Sequence, residues 1–132
     1  FQYVRKGILQ GKYKRNEHSF LACVMEALDD VTGITKITDT DEREAALIDV
    51  RNELATEELA PLCKQEMYDY TIDQIINMLK DPTLYLDPKL FIHLLENYFE
   101  CNIFLFTKKF LDGEMILPLI GLFYKKHLVY QE

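Results

Sequence analysis

The chain is poor in cysteine, glycine and proline, and these shortages exclude several kinds of protein. Its three cysteines, Cys23, Cys63 and Cys101, are odd in number, far apart and without C-x-x-C spacing. That pattern argues against both a secreted disulfide scaffold and a zinc site. The five glycines and four prolines are spread along the chain, so no low-complexity tract or flexible linker divides it. We therefore expect a reducing compartment and neither a metal nor another cofactor.

Long apolar runs are also missing. One of the more apolar stretches, 115–120, is interrupted by Pro118, and no run approaches the ~20 residues of a bilayer span. We expect a chain that does not cross a membrane and that lies in the cytoplasm or in a virion. It starts at Phe1 without a signal-peptide pattern, so we also expect a domain excised from a longer protein, with localisation signals missing from the fragment.

What is present is enough for one folded domain. The chain has 132 residues, of which 48% are hydrophobic, with eight tyrosines and eight phenylalanines. This composition is far from that of disordered chains, and the length is that of a single domain. The prediction is one compact, soluble domain over residues 1–132, with a core large enough to need no metal or disulfide.

Charge is sorted along the chain. Residues 1–18 carry five basic side chains and one acidic, residues 19–100 carry six basic and eighteen acidic, and residues 101–132 carry four basic and three acidic, for a net charge of -7. The acidic middle argues against general nucleic-acid binding, which depends on many lysines and arginines neutralising phosphates.

Apolar residues at helical spacing predict four helices. The first runs from about Ser19 to Leu28 and the second from Asp41 to Leu54. Thr71 is expected to cap the third, and Asp87 with Pro88 to begin the fourth. The residues expected to face inward are, helix by helix, Phe20, Cys23, Val24, Ala27 and Leu28; Leu47, Val50 and Leu54; Ile72, Ile75, Ile76 and Leu79; and Phe91, Leu94, Leu95 and Tyr98.

The pattern changes to strands after Asn102. A continuous apolar run at 103–106 is followed by Asp112-Gly113 and a second run at 115–117, and Asp-Gly between apolar runs is a strong hairpin signal. A further strand or hairpin is expected at 122–124 and 128–130. The predicted fold class is α+β, with helices followed by a small C-terminal antiparallel sheet against which the helices pack.

Three groups of residues could carry chemistry. Cys23 lies among apolar neighbours in the first helix, where a buried thiol is inert, so a core role is favoured. His93 has no second ligand at i+4, so a histidine satisfied by its surroundings is favoured over a metal ligand. The third group is His18-Ser19 at the start of the first helix, together with His127 near the end of the chain. A serine at this position is typical of a helix cap, and it is also where a nucleophile gains from the helix dipole.

The stretch 16–22, Asn-Glu-His-Ser-Phe-Leu-Ala, resembles the Asp-Gly-Asn-Cys-Leu-Phe-Arg-Ala signature of ovarian-tumour-type (OTU) cysteine proteases. The fourth helix and the apolar run 103–106 resemble the middle of that family in order and character. Leu122 to His127 resembles the strand that carries its catalytic histidine. The resemblance covers roughly residues 14–130 and implies a papain-like, OTU-like fold; Gly7 to Gln10 and Ser19 to Leu21 resemble OTU-like proteins of large DNA viruses.

The departures from the family signature determine what the resemblance implies. Ser19 stands in place of the nucleophilic cysteine, Asn16 in place of the acidic residue and Glu17 in place of the glycine. A hydroxyl is not ionised by an imidazole as a thiol is. We therefore expect a catalytically inactive OTU-like domain, with Ser19 and His127 as vestigial catalytic positions, that acts as a protein-interaction or structural module of a larger, viral assembly.

Two alternatives stay open. The first is an active OTU-type deubiquitinase or protease-like hydrolase that uses Ser19 and His127. The second is a nucleic-acid-associated subunit that uses the basic N-terminal stretch through Lys12, Lys14 and Arg15.

The acidic segment 39–58 is the expected binding surface. Eight acidic residues crowd into it, and we expect a protein partner with a basic surface, met by Glu42, Glu44 and Glu53. The alternative for this segment is a solvated helical face that only keeps the protein soluble.

Overall fold

The structure is a computed structural model, and it describes residues 16–63, 69–106 and 126–131. Within these ranges, five α-helices precede two strands. The helices are α1 (Ser19–Ala27), α2 (Asp29–Thr32), α3 (Thr40–Leu54), α4 (Ile72–Lys80) and α5 (Pro88–Phe99), the strands are β1 (Cys101–Phe106) and β2 (Lys126–Gln131), and short 3₁₀ turns lie at Asn16–His18, Ile34–Lys36 and Ala60–Leu62. The described part is mostly helical and agrees with the α+β class.

The first predicted helix is present as α1, but its inward face was partly predicted wrongly. Ala27 is exposed and Cys23 is only half-buried, whereas Leu21 and Met25 are buried. The reason is that α1 is apolar at every position from Phe20 to Met25, so apolar spacing alone does not define one face. Both α2 and β2 contact this helix.

A second short helix, not predicted, follows α1 directly. Leu28 joins the two helices, and α2 ends at Gly33, whose φ of 65° lies in the left-handed region that favours glycine. The amide of Gly33 donates to the carbonyl of Asp29 and closes the last turn.

The acidic second helix is confirmed as α3. Asp39 caps it by accepting a hydrogen bond from the amide of Asp41 over 3.3 Å. Leu47 and Leu54 are buried and Val50 packs against the core, as predicted. α3 lies against α4.

The starts of α4 and α5 are also confirmed. Thr71 and Gln74 form a reciprocal capping box, in which each side chain accepts from the backbone amide of the other. Asp87 accepts from the amide of Lys89 over 2.9 Å, with Pro88 at the first helical position. These caps use contacts within four residues, which is why the sequence predicts them well.

The sheet differs from the prediction in its direction. β1 and β2 pair in parallel, from Cys101 opposite Lys126 to Phe106 opposite Gln131, which corrects the antiparallel expectation for these two strands. A parallel pair needs a crossover of a dozen or more residues, and 19 residues separate the strands here, from 107 to 125. The predicted turn at Asp112-Gly113 and the predicted strands at 115–117 and 122–124 lie outside the described residues.

One hydrophobic cluster joins these elements. Side chains of α1, α3, α4, α5 and β1 meet in it, including the fully buried Phe20, Leu47, Leu79, Leu94 and Leu95. Among the residues that the structure describes, no helix is long and apolar enough to cross a membrane. The papain-like, OTU-like arrangement stays a prediction.

Candidate functional site

The start of α1 holds His18 and Ser19. The 3₁₀ turn Asn16–His18 runs directly into α1, so His18 occupies the cap position and Ser19 is the first helical residue. The prediction that Ser19 caps the helix is therefore wrong, and no side chain forms the cap hydrogen bond at this end. Ser19 is half-buried, and His18 is buried with 1% of its surface exposed.

A buried arginine on α3, Arg51, contacts His18 at the start of α1. Arg51 has 1% of its surface exposed and donates all five of its N–H groups. Nε donates to the carbonyl of Leu79 (2.9 Å), Nη1 to His18 Nδ1 (3.1 Å) and the carbonyl of Leu84 (2.9 Å), and Nη2 to the carbonyls of Met78 (2.7 Å) and Asp81 (2.8 Å).

The carbonyls of Met78 and Leu79 belong to the last turn of α4, where they have no partner within the helix. Arg51 therefore satisfies the C-terminal end of α4 and places a positive charge at the negative end of its dipole. Burial lowers the pKa of the Arg51 guanidinium, and the carboxylates of Asp81 and Glu17 oppose this shift. The two carboxylates thus help to keep the buried charge in place.

The contact with Arg51 defines the tautomer of His18. An arginine has N–H donors and no acceptor, so His18 Nδ1 must be the acceptor and the ring proton of the neutral imidazole lies on Nε2. The lone pair of Nδ1 is therefore occupied. His18 cannot take a proton from Ser19 at this nitrogen while Arg51 stays in place.

The second predicted catalytic position, His127, lies in β2 opposite Asn102 of β1. Because α1 contacts β2, Ser19 and His127 lie on neighbouring elements. The side chain of His127 lies outside what the structure describes, so its contact with Ser19 stays a prediction. The third histidine, His93, is exposed on α5 and bonds Glu96 through Nδ1 over 2.8 Å, which agrees with a satisfied surface histidine.

The three predicted interaction residues lie on α3 but not on one face. Successive residues of a helix are turned by about 100°, so Glu42, Asp49 and Glu53 fall within about 40° of one another. Glu44 lies about 140° to 180° away from these three residues around the helix. The burial pattern agrees, because Glu42, Asp49 and Glu53 are exposed and Glu44 is half-buried. We call Glu42, Asp49 and Glu53 the acidic face.

Both arginines of α3 are on the inner side of the helix. Arg43 is 4% exposed and donates to the backbone carbonyls of Thr35 (3.0 Å) and Ile37. Arg51 is directed into the core as described above. Sequence reasoning missed both residues, although Arg43, Leu47 and Arg51 repeat every four positions in line with the buried face. As a result, every charge that α3 exposes is acidic.

Glu53 has an additional contact with α5. The hydroxyl of Tyr98 donates to its carboxylate, and the ring of Tyr98 packs edge-on against Phe99 at 4.9 Å between centroids. Burial, and then the hydrogen bond to Glu53, raise the pKa of Tyr98 to about 12. Glu53 therefore links α3 to α5 as well as contributing to the acidic face.

The remaining predicted sites have different outcomes. Lys12, Lys14 and Arg15 lie outside the described residues, and so does any surface they form.

All three cysteines are described and none is in a disulfide; Cys63 and Cys101 are buried. Burial raises the pKa of the Cys63 thiol to about 12. Within the described ranges, no group of three or more His, Cys, Asp or Glu side chains is placed to hold a metal ion.

Comparison with known proteins finds similarity to proteins of two invertebrate viruses. "Uncharacterized protein 295L" of Invertebrate iridescent virus 6 is 36% identical over 76 residues, which are 58% of this chain and 5% of that protein. "Uncharacterized protein 016R" of Invertebrate iridescent virus 3 is 33% identical over 97 residues, which are 73% of this chain and 8% of that protein. No family model and no solved structure matches the chain.

The matched regions therefore span less than a tenth of each of these viral proteins. The expected viral connection is supported by both relatives. Neither similarity bears on the OTU-like resemblance.

Proposed function

We propose that this chain is a non-catalytic, OTU-like binding module of a larger viral protein, and that α3 meets a partner with a basic surface. The observation that carries this proposal is the single sign of charge on the exposed side of α3. Arg43 and Arg51 are the two basic residues of this helix, and both are buried and bonded to backbone carbonyls. The acidic face therefore consists of carboxylates alone, and the two arginines of α3 lie on the inner side of the helix.

The chemistry at the start of α1 supports the absence of catalysis. Ser19 stands where the family has a cysteine, and a hydroxyl needs a strong neighbouring base. The adjacent imidazole of His18 is buried and its Nδ1 accepts from Arg51 over 3.1 Å. A protonated guanidinium beside an imidazole also makes that imidazole a poorer base. The residue next to Ser19 thus does not supply the base.

The size relation to the viral relatives supports a role within a larger assembly. The matched regions are 5% and 8% of those proteins. A module of this length in a long chain can act by binding alone.

The binding proposal is tested with variants of α3. The chain is used to recover a partner from extracts of infected cells, and the association rate with the purified partner is measured at low and moderate salt. Glu42→Gln with Asp49→Asn should lower the association rate about two- to tenfold at low salt and reduce its salt dependence, because opposite charges chiefly accelerate encounter.

Glu44→Gln is the matched control, since it removes one acidic charge from the same helix but outside the acidic face. If the double variant Glu42→Gln/Asp49→Asn and the control Glu44→Gln both show the association rate and the salt dependence of the wild type, the acidic face is not the binding surface.

One observation favours a hydrolase as the second candidate function. α1 and β2 are in contact, so Ser19 and His127 lie on neighbouring elements. The test is cleavage of ubiquitin chains by the wild type and by Ser19→Ala. The non-catalytic proposal expects no turnover by either protein; turnover by the wild type that disappears in Ser19→Ala would overturn it.

A further inference from the structure

His18 and Arg51 form a buried contact between two groups that can both carry positive charge. Each is 1% exposed, and 3.1 Å separates Arg51 Nη1 from His18 Nδ1. Arg51 stays protonated at any ordinary pH, so the contact exists only while His18 Nδ1 is unprotonated. The acidic groups that act on Arg51 from the neighbouring elements are Glu17 before α1 and Asp81 after α4.

We propose that His18 makes the fold sensitive to acid, because protonation of its imidazole breaks the contact with Arg51 and releases the start of α1 from the loop 81–87. This inference does not rest on the proposed binding function. It concerns the contact between α1, α3 and the end of α4, whereas the acidic face lies on the outer side of α3.

The direction of the effect follows from proton binding. An imidazolium has N–H groups on both nitrogens, so Nδ1 can no longer accept from Arg51, and two cations would then lie side by side away from water. In the unfolded chain a histidine takes up its proton near pH 6.5, about its ordinary value. Because only the neutral imidazole can accept from Arg51, this contact opposes proton uptake by His18 in the folded chain. The stability that neutral His18 provides is therefore complete above about pH 6.5 and is lost as the pH falls below it.

The segment that would be released is held by two bonds next to His18. The amide of Leu86 donates to the carbonyl of Glu17 over 3.1 Å, and the carbonyl of Leu84 accepts from Arg51 over 2.9 Å. The side chains of Leu84 and Tyr85 between these bonds are 43% and 48% exposed. Loss of the His18 contact weakens the attachment of this loop first, so acid should increase hydrogen exchange at the Leu86 amide before the whole domain unfolds.

The test compares wild type with His18→Asn in urea unfolding between about pH 7.5 and 5, above the ordinary titration range of carboxylates. Asparagine keeps an oxygen acceptor close to the position of Nδ1 but takes up no proton. If the folded state excludes the His18 proton, the folding equilibrium constant of the wild type falls about 30-fold more than that of His18→Asn from pH 7.5 to 5.

His93→Asn is the matched control, because His93 is exposed on α5 and should leave the wild-type pH dependence in place. The proposal is supported if the folding equilibrium constant falls at least fivefold more from pH 7.5 to 5 in the wild type and in His93→Asn than in His18→Asn. A smaller excess, or an equal loss in His18→Asn, overturns it. If His18→Asn does not fold, the imidazole NMR signals of the folded wild type are followed instead. Titration of His18 near pH 6.5 without a change in Leu86 exchange overturns the proposal. An imidazole of His18 that does not titrate down to about pH 5 supports it.

Discussion

Replacing Arg51 by methionine should be among the most destabilising single changes in the described part of the chain. Methionine retains an unbranched apolar stem of similar length and removes every N–H donor. The substitution leaves five acceptors without their partner, on α4, on the loop that follows it and on His18. It therefore separates the contribution of the hydrogen bonds from that of the buried stem.

The magnitude follows from which of these acceptors water can reach. The contacts with Leu79 and His18 are buried, whereas those with Met78, Asp81 and Leu84 are partly buried, so water can replace Arg51 there. Two buried acceptors left unsatisfied cost ~1–3 kcal/mol each, or about 2–6 kcal/mol together. Removal of a buried charge also removes its desolvation cost, which offsets part of this loss. We expect the free energy of unfolding to fall by about 2–4 kcal/mol, a large part of the ~5–15 kcal/mol typical of a domain.

The measurement is urea unfolding followed by circular dichroism at neutral pH, with m-values compared to confirm that the same surface unfolds. Arg51→Lys should have an intermediate effect, because one ammonium with three donors cannot reach all five acceptors.

Arg43→Met is the matched control for Arg51→Met. It removes a buried arginine from the same helix, but the acceptors Thr35 and Ile37 lie in a partly buried segment just before that helix. We expect a smaller loss for Arg43→Met. A change of less than ~1 kcal/mol for Arg51→Met, or one no larger than that for Arg43→Met, would refute the assignment of Arg51 as the central contact.

Three further predictions concern packing, capping and thiol reactivity. Leu94→Ala should cost ~2–5 kcal/mol in urea unfolding, because Leu94 is fully buried in the hydrophobic cluster; an unchanged midpoint would contradict that placement. Thr71→Ala should cost ~0.5–2 kcal/mol through loss of the α4 capping box, whereas Thr71→Ser should recover most of it. A thiol reagent at pH 8 should modify Cys23 before Cys63, since Cys23 is half-buried and burial raises the pKa of Cys63 to about 12; equal rates in the folded protein would be inconsistent with the packing around Cys63.

The sequence predicts the helix starts well because their determinants are local. The capping residues Thr71 and Asp87 bond to amides two or three residues away, and Pro88 favours the first helical position through its own ring. The predicted face of α5 is largely confirmed, because Phe91, Leu94 and Leu95 are buried. In such segments the capping residues and the apolar spacing in the sequence are enough to predict where the helix begins and which side is buried.

Prediction fails where the determining contacts are distant. The direction of β1 against β2 depends on a connection of 19 residues, and local hairpin signals do not report on it. The contacts of Arg51 with Leu79 and His18 span 28 and 33 positions. An arginine is most often exposed, so its type alone favours the wrong side of the helix. The available signal was that Arg51 lies four residues after the buried Leu47, which places both on the same face of α3. A correct prediction would have to give this spacing more weight than the general preference of arginine for the surface.

The candidate site was predicted unevenly for a related reason. Glu42 and Glu53 lie on the same face of α3, but Glu44 is half-buried on the opposite side of the helix. A list of acidic residues in a segment does not separate these two positions unless the angle of each residue around the helix is considered. The importance of His18 was recognised only through its neighbour Ser19. Its actual partner is Arg51, on a helix that begins more than 20 residues later.

The two buried arginines connect the stability of α3 with the charge of its surface. An arginine on the outer side of this helix would neutralise an acidic neighbour at i+3 or i+4. Inside the domain, Arg51 instead donates to carbonyls and an imidazole, so it cannot turn outward without leaving two buried acceptors unsatisfied. The interior thus keeps the cations away from the acidic face. Arg43 and Arg51 both donate to backbone carbonyls, so the charge of the acidic face and the packing of the inner side of α3 depend on different residues.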